Sequence, residues 1–294
     1  MKFLIASTYL HLIDSIIISK QFENECFLFF IGKENEFLNY IKKFFSKTIL
    51  LEEKKESFRQ KVAQRIKNKN LLIDYVNAYK PEEIIVGNNR KIETSILIKN
   101  VKSNYSYMDD GLHSYIYEKN YFGKYSFLEK KIKKIIYRSS LELPKYIGKD
   151  LNKAYLFKPE YSLPYFKNKV KLDISLLKKD DFKDFANSLD LNFKKLILFP
   201  HPKFIDKFFL NKVQNLIDED TAIKLHPRDK RIYFNGVKII PNIPFEILLL
   251  KSNKDVKIYG INSTALLMAR LFNFDVYSYG INTFFKKIGV KEWI

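Results

Sequence analysis

The side chains in this sequence that could do chemistry come in a few short groups. Asp109-Asp110-Gly111 sets two carboxylates side by side before a glycine. That is ordinary turn chemistry, unless one carboxylate is placed to take a proton. His201-Pro202 and His226-Pro227-Arg228 each put an imidazole before a proline, whose ring biases the preceding residue toward extended backbone. Such an imidazole stands at the tip of an apolar run, where it can hold a phosphate oxygen or give it a proton. Of the two, His226 is preferred, because Lys224, Arg228 and Lys230 make its surroundings basic. Asn262-Ser263-Thr264 ends one apolar run and opens a helical one. Ser263 or Thr264 can cap that helix, and a helix N-terminus with spare hydroxyls and N–H groups also suits phosphate. Glu246, after Pro244, falls in the first turn of another helical run. It is well placed there for the helix dipole, or for accepting bonds from two ribose hydroxyls. There is no P-loop with its lysine and no GxGxxG, which disfavours ATP and NAD. Asp218-Glu219-Asp220 is the acidic cluster closest to a metal-binding pattern; it precedes a strand and reads as a solvated turn, so no metal site is expected.

These groups need a scaffold that brings strand ends together. Short apolar runs alternate with longer amphipathic ones along the chain. KFLIAS, ECFLFFIG, KTILLE, EEIIVGN and SNYSYMDD read as strands, with ENEFLNYIKKFF, SFRQKVAQRIKNKNLLIDYVNAY and KIETSILIKNV as helices between them. The rhythm breaks over about 150–190, where Pro159, Pro164 and the charged LLKKDDFKDF read as a connection. It resumes with KKLILFP, DTAIKLHP, GVKIIP, DVKIYGI and FDVYSYG as strands, and with FIDKFFLNKVQNLI, PFEILLLKS and STALLMARLF as helices. Strand and helix in alternation predict parallel sheets covered on both faces. The expected architecture is α/β, with Rossmann-like domains over 1–155 and 191–294 and a linker over 156–190. Ligands of such sheets bind beyond the carboxyl ends of the strands. Ser7-Thr8, Asn88, Asp109-Asp110-Gly111, His201, His226 and Asn262-Ser263-Thr264 all follow an apolar run.

The order of these groups carries more than any one of them. A paired acid before Gly, then His-Pro, a helix-opening Glu 20 residues after His226 and a Ser-Thr pair 17 beyond that resemble the bacterial sialyltransferases. The resemblance points to the lipooligosaccharide enzymes of glycosyltransferase family 52 and the polysialyltransferase relatives of family 38. The opening strand followed by STYLHLIDSI is also similar. The resemblance implies a GT-B architecture, two Rossmann-like domains with parallel sheets facing a central cleft. It implies an inverting, metal-independent transfer of sialic acid from CMP-sialic acid to a terminal sugar of a surface glycan, with no cofactor. Carried over by position, Asp109 or Asp110 would deprotonate the acceptor hydroxyl. On an ideal strand the two point to opposite faces, so only one should reach it. His226 would stabilise the departing phosphate; Ser263 and Thr264 would bind that phosphate, with Pro227, Arg228, Asn262 and His201 around them, and Glu246 would hold the ribose. Ser7, Thr8, Asn88 and Gly111 would line the acceptor side. A GT-B enzyme using another nucleotide sugar in capsule or lipopolysaccharide assembly is the neighbouring alternative.

Composition bounds the partners. Over 294 residues, 46% hydrophobic content supports folded cores, and the net charge of +19 calls for anionic surroundings. A basic nucleic-acid-binding protein would share that charge, but the chain has none of the RNA- or DNA-binding signatures, so no nucleic acid is expected. FGKYSFLEKKIKKIIYRSS at 122–140 and TFFKKIGVKEWI at the C-terminus interleave basic and apolar residues, as segments resting on anionic membranes do. Cys26 is the single cysteine, which rules out an internal disulfide. His11 and Asp14 interrupt the apolar N-terminus, which reads as strand and helix rather than as a signal peptide. The expectation is a cytoplasmic protein, peripheral at the inner membrane, acting on lipid-linked glycan.

Overall fold

The computed structural model describes residues 1–23, 25–53, 57–87, 93, 94, 97, 105–116, 151–164, 166–185 and 191–293. The chain divides into two compact units, Met1–Leu176 and Leu177–Ile294.

The first unit is built on a seven-stranded sheet in the order β3-β2-β1-β4-β5-β6-β7. The strands are β1 (Lys2–Ala6), β2 (Cys26–Gly32), β3 (Lys47–Glu52), β4 (Glu83–Val86), β5 (Tyr105–Met108), β6 (Leu151–Leu156) and β7 (Lys169–Lys171). Every pairing among them is parallel. Helix α1 (Tyr9–Phe22) opens at Thr8, whose side chain accepts the His11 N–H, and closes at Glu23 in the left-handed region. After the short α2 (Glu36–Ile41), α3 (Phe58–Tyr79) starts with a capping box between Ser57 and Gln60. Leu72 and Val76 of α3 pack on Phe3, Ile5, Phe29 and Ile31 of the sheet. At the amino ends of the strands the buried charges satisfy one another. The Lys2 ammonium lies 3.2 Å from the Glu83 carboxylate, and Tyr155 and Ser106 donate to the same group.

The second unit repeats the plan with six parallel strands in the order β10-β9-β8-β11-β12-β13. These are β8 (Lys195–Leu198), β9 (Thr221–Lys224), β10 (Lys238–Ile240), β11 (Lys257–Ile261), β12 (Asp275–Tyr279) and β13 (Lys291–Glu292). Its helices are α4 (Lys207–Gln214), α5 (Phe245–Lys251), α6 (Thr264–Leu271) and α7 (Thr283–Lys287). Phe209 and Val213 of α4 close one face of the sheet against Ile197, Phe199 and Trp293.

Both sheets are all-parallel α/β layers, as the alternation of runs predicts. Within the 156–190 stretch, β7 pairs with β6 and so belongs to the first sheet, while the division between units falls after Leu176. The C-terminal segment departs from its expected membrane role. Phe284, Phe285, Ile288, Val290 and Trp293 are all buried inside the second unit, so its apolar side chains serve the core. The 122–140 segment and the KIETSILIKNV run, apart from Glu93, Thr94 and Leu97, lie outside the described residues. Among those described, no helix is long and apolar enough to cross a membrane.

Candidate functional site

In each sheet the strand order reverses between the first strand of the unit and the fourth: β1 beside β4, and β8 beside β11. Loops leave in opposite directions at such a point and open a crevice at the carboxyl ends of the strands. The residues with chemical potential stand there in both units.

In the first unit Asp109 and Asp110 leave β5 on different errands. Asp109 is fully buried. Its carboxylate accepts from the Gly111 N–H at 2.8 Å, the Ser114 hydroxyl at 2.8 Å, the Phe157 N–H at 3.1 Å and the Tyr115 hydroxyl. It thus stitches the end of β5 to the end of β6. Burial pushes its pKa up to about 6, against the pull of those four donors. Gly111 adopts φ +65°, which permits the turn back onto Asp109. Asp110 is partly exposed, and its Oδ1 lies 3.1 Å from Nε2 of His11. The His11 ring is wholly enclosed. Its Nδ1 accepts the Ser7 N–H at 3.3 Å, which leaves the ring proton on Nε2, donated to Asp110. Ser7 and Thr8 therefore position His11: one holds the ring, the other caps the helix that carries it. Asn88 lies outside the described residues.

Nothing in the local sequence marks His11 as more than a break in an apolar run. The signal is tertiary. Gly87, just past β4, abuts the ring so closely that a Cβ there would lie 2.4–2.6 Å from three of its atoms. Gly87→Ala should therefore cost about 1–3 kcal/mol through overpacking. Combined with His11→Ala, it should recover part of that loss in urea denaturation. Strict additivity of the two changes would sink this steric account.

In the second unit His201 and His226 follow the neighbouring strands β8 and β9, and their ring centroids are 5.0 Å apart. Each Nδ1 accepts a backbone N–H two residues on, from Lys203 at 3.3 Å and from Arg228 at 3.1 Å. Both rings thus keep Nε2–H as their donor. Burial, then His201 and Arg228, lower the pKa of His226, so it is neutral at neutral pH. The loop bearing His226 is stiffened by Asp229, which accepts from the Arg231 guanidinium at 2.9 and 3.0 Å and from the Tyr233 hydroxyl at 2.6 Å. Those bonds, Arg231 foremost, hold its pKa well below the carboxylate range. Pro227 and Arg228 are exposed in this loop.

After β11, Ser263 is the N-cap of α6 and accepts the Leu266 N–H at 3.3 Å; its hydroxyl proton remains to donate. Thr264 begins the helix. Asn262 is committed to the sheet: its amide donates to the Gly280 carbonyl, and its Oδ1 accepts from Ser278 at 3.1 Å. Glu246 is buried in the first turn of α5, where burial raises its pKa against the pull of Lys224. Its charged neighbour is thus Lys224 rather than either histidine. Lys224 in turn is pushed down to about 8 by burial. Asp218 and Asp220 pair with Lys195 and Lys194 before β9, as a solvated turn would. Among the described residues no three His, Cys, Asp or Glu side chains gather as a metal set.

Known structures share this plan. The UDP-GlcNAc 2-epimerase of Neisseria meningitidis, bound to UDP-GlcNAc, is similar over 98% of this chain and 85% of its own, with a TM-score of 0.55 at 12% identity. Arabidopsis thaliana UGT89C1, complexed with UDP, is similar over 96% and 80%, with a TM-score of 0.53 at 10% identity. The spinosyn forosaminyltransferase SpnP is similar over 96% and 80%, with a TM-score of 0.53 at 8% identity. The chain has the GT-B fold. No family model matches it, and no curated protein does. The GT-B assignment therefore rests on the two parallel sheets and their strand order, and in both halves the candidate residues lie at the GT-B strand ends.

Proposed function

We propose that this chain is a glycosyltransferase that moves a sugar from a nucleotide donor to a glycan acceptor carried on lipid at the inner membrane. The observation that carries this reading is the His201–His226 pair. Two imidazoles at adjacent strand ends, each with its tautomer set by a backbone N–H, offer two Nε2–H donors side by side. Imidazole N–H donors of this kind, with the Ser263 hydroxyl at the start of α6, suit the phosphate of a departing nucleotide. In the first unit Asp110 takes the role of base, held by His11, while Asp109 keeps the strand ends together. The acceptor hydroxyl gives its proton to Asp110 as its oxygen bonds the anomeric carbon. The bond from that carbon to the phosphate oxygen breaks, its electron pair leaves with the nucleotide, and the configuration inverts.

Two of the similar structures hold UDP or UDP-GlcNAc, which supports a uridine nucleotide sugar as donor. The ordered acid, His-Pro, Glu and Ser-Thr groups favour CMP-sialic acid as the second reading. Calorimetric titration in EDTA with UDP, UDP-GlcNAc, CMP and a short RNA tests both. Binding of the uridine nucleotides should weaken about 10- to 100-fold in His201→Ala and in His226→Ala, the worth of one hydrogen bond to a charged group. Binding of CMP alone would favour the second reading, and binding of RNA alone would overturn both.

A further inference from the structure

The second unit exposes large apolar side chains where none is needed for folding. Phe204, Phe208 and Ile232 are 58%, 73% and 76% exposed. They stand close in the fold to one buried ring and to the histidine pair. Phe208 and Ile232 each precede a residue that packs on the same ring: Phe209 lies 5.3 Å and Tyr233 4.9 Å from Phe199, centroid to centroid. Phe204 lies 6.3 Å from His201, which itself contacts His226 in the loop that leads to Ile232. The three residues thus lie on the segments that follow β8 and β9, two strands that are neighbours in the sheet. The loop that offers Ile232 is held by the Asp229–Arg231–Tyr233 bonds rather than free to fold inward.

Cations are interleaved with them. Lys203, Lys207, Arg228, Lys230 and Arg231 are all exposed, against Asp206 and the buried, paired Asp229. The Lys203 ammonium lies 4.5 Å from the Phe204 ring, so charge and apolar surface are presented at one place. Large apolar side chains interleaved with lysine and arginine match the interface of an anionic bilayer: the apolar tips enter the acyl boundary and the cations meet the headgroups. Nucleic acid would use the cations and could stack on phenylalanine, but it has no use for an isoleucine at the tip. We propose that Phe204, Phe208 and Ile232, with Lys203, Lys207 and Lys230, form the surface by which this protein docks on membranes rich in anionic lipid. The inference deepens the proposed function by naming how the enzyme would meet its membrane. It rests on that reading for its context alone, since the surface exists whatever the donor.

Co-sedimentation of the nuclease-treated full chain with vesicles tests it. Binding should be strong to phosphatidylglycerol–phosphatidylcholine vesicles, weak to phosphatidylcholine alone, and reduced by salt. Phe204→Ser/Phe208→Ser/Ile232→Ser should weaken it at least about tenfold, while Lys203→Gln/Lys207→Gln/Lys230→Gln should flatten the salt dependence. Uridine nucleotide titration on Phe208→Ser/Ile232→Ser, which keeps the Phe204–His201 contact, should match the wild type. That separates loss of docking from failure of the nucleotide reading. Equal vesicle binding by wild type and the serine variant would overturn the proposal. So would wild-type sedimentation that requires added RNA, or a vesicle-free dimer that the serine changes dissolve.

Discussion

Asp109→Ala should destabilise the first unit by about 3–5 kcal/mol, because several buried donors, at about 1–3 kcal/mol each, lose their acceptor. The carboxylate has no exposure, and four donors from Gly111, Ser114, Tyr115 and Phe157 converge on it. Alanine would take away the acceptor that all four share, in a site closed to water. Acidity adds a signature that loss of a contact alone would lack. Burial raises the Asp109 pKa to about 6, from an ordinary value near ~3.9. For a raised acid, the favourable contribution is complete below about pH 4 and is lost as pH rises through about 6, at roughly 1.4 kcal/mol per pKa unit. Urea denaturation of the wild type should thus show stability falling by about 3 kcal/mol across that window. Asp109→Asn, which removes this titration, should lose that part of the fall and keep only what the other groups contribute. A fall in the wild type no larger than in the Asn variant would show that Asp109 is not the group concerned.

Asp110→Asn should do the reverse, sparing the fold and cutting transfer by about 10²–10⁴-fold, the usual worth of a general base. Asparagine can still accept the His11 Nε2–H through its carbonyl oxygen, so the 3.1 Å link survives. What it cannot do is take a proton from the acceptor hydroxyl. His11→Ala should cost transfer less, because the base remains but loses the group that aims it. The measurement is the turnover number for sugar transfer at saturating donor and acceptor, with circular dichroism to confirm the fold. Turnover by Asp110→Asn within a few-fold of wild type would remove Asp110 from the reaction and leave the pair a structural one.

How much of this was legible in the sequence depends on whether the signal is local. Strands buried on both faces, such as KFLIA and CFLFFI, read directly as apolar runs. β6 begins LNK, half-buried, and β7 is KVK on the sheet edge, so neither carries an apolar run to find. The strand-end groups are legible because chain order places them after apolar runs, and alternation along a strand separates Asp109 from Asp110. His11 is not legible in this way, because its partner lies 99 residues away. What brings them together is the order β1-β4-β5 in the sheet, which no window of sequence encodes. The C-terminal segment shows the opposite failure. Its mixture of lysines and aromatics is the same whether the aromatics face lipid or, as with Phe285 and Trp293, the protein interior.

The burial of Trp293 has a practical side. It is the only tryptophan in the chain, and it sits in the core of the second unit against Phe209, Tyr259 and Tyr279. Light absorbed selectively by indole therefore reports on that half alone, while the first half is spectroscopically silent to it. Emission and far-ultraviolet ellipticity followed in the same melt would resolve whether the halves come apart together or in turn, and would assign each substitution's damage to its own half without cutting the chain.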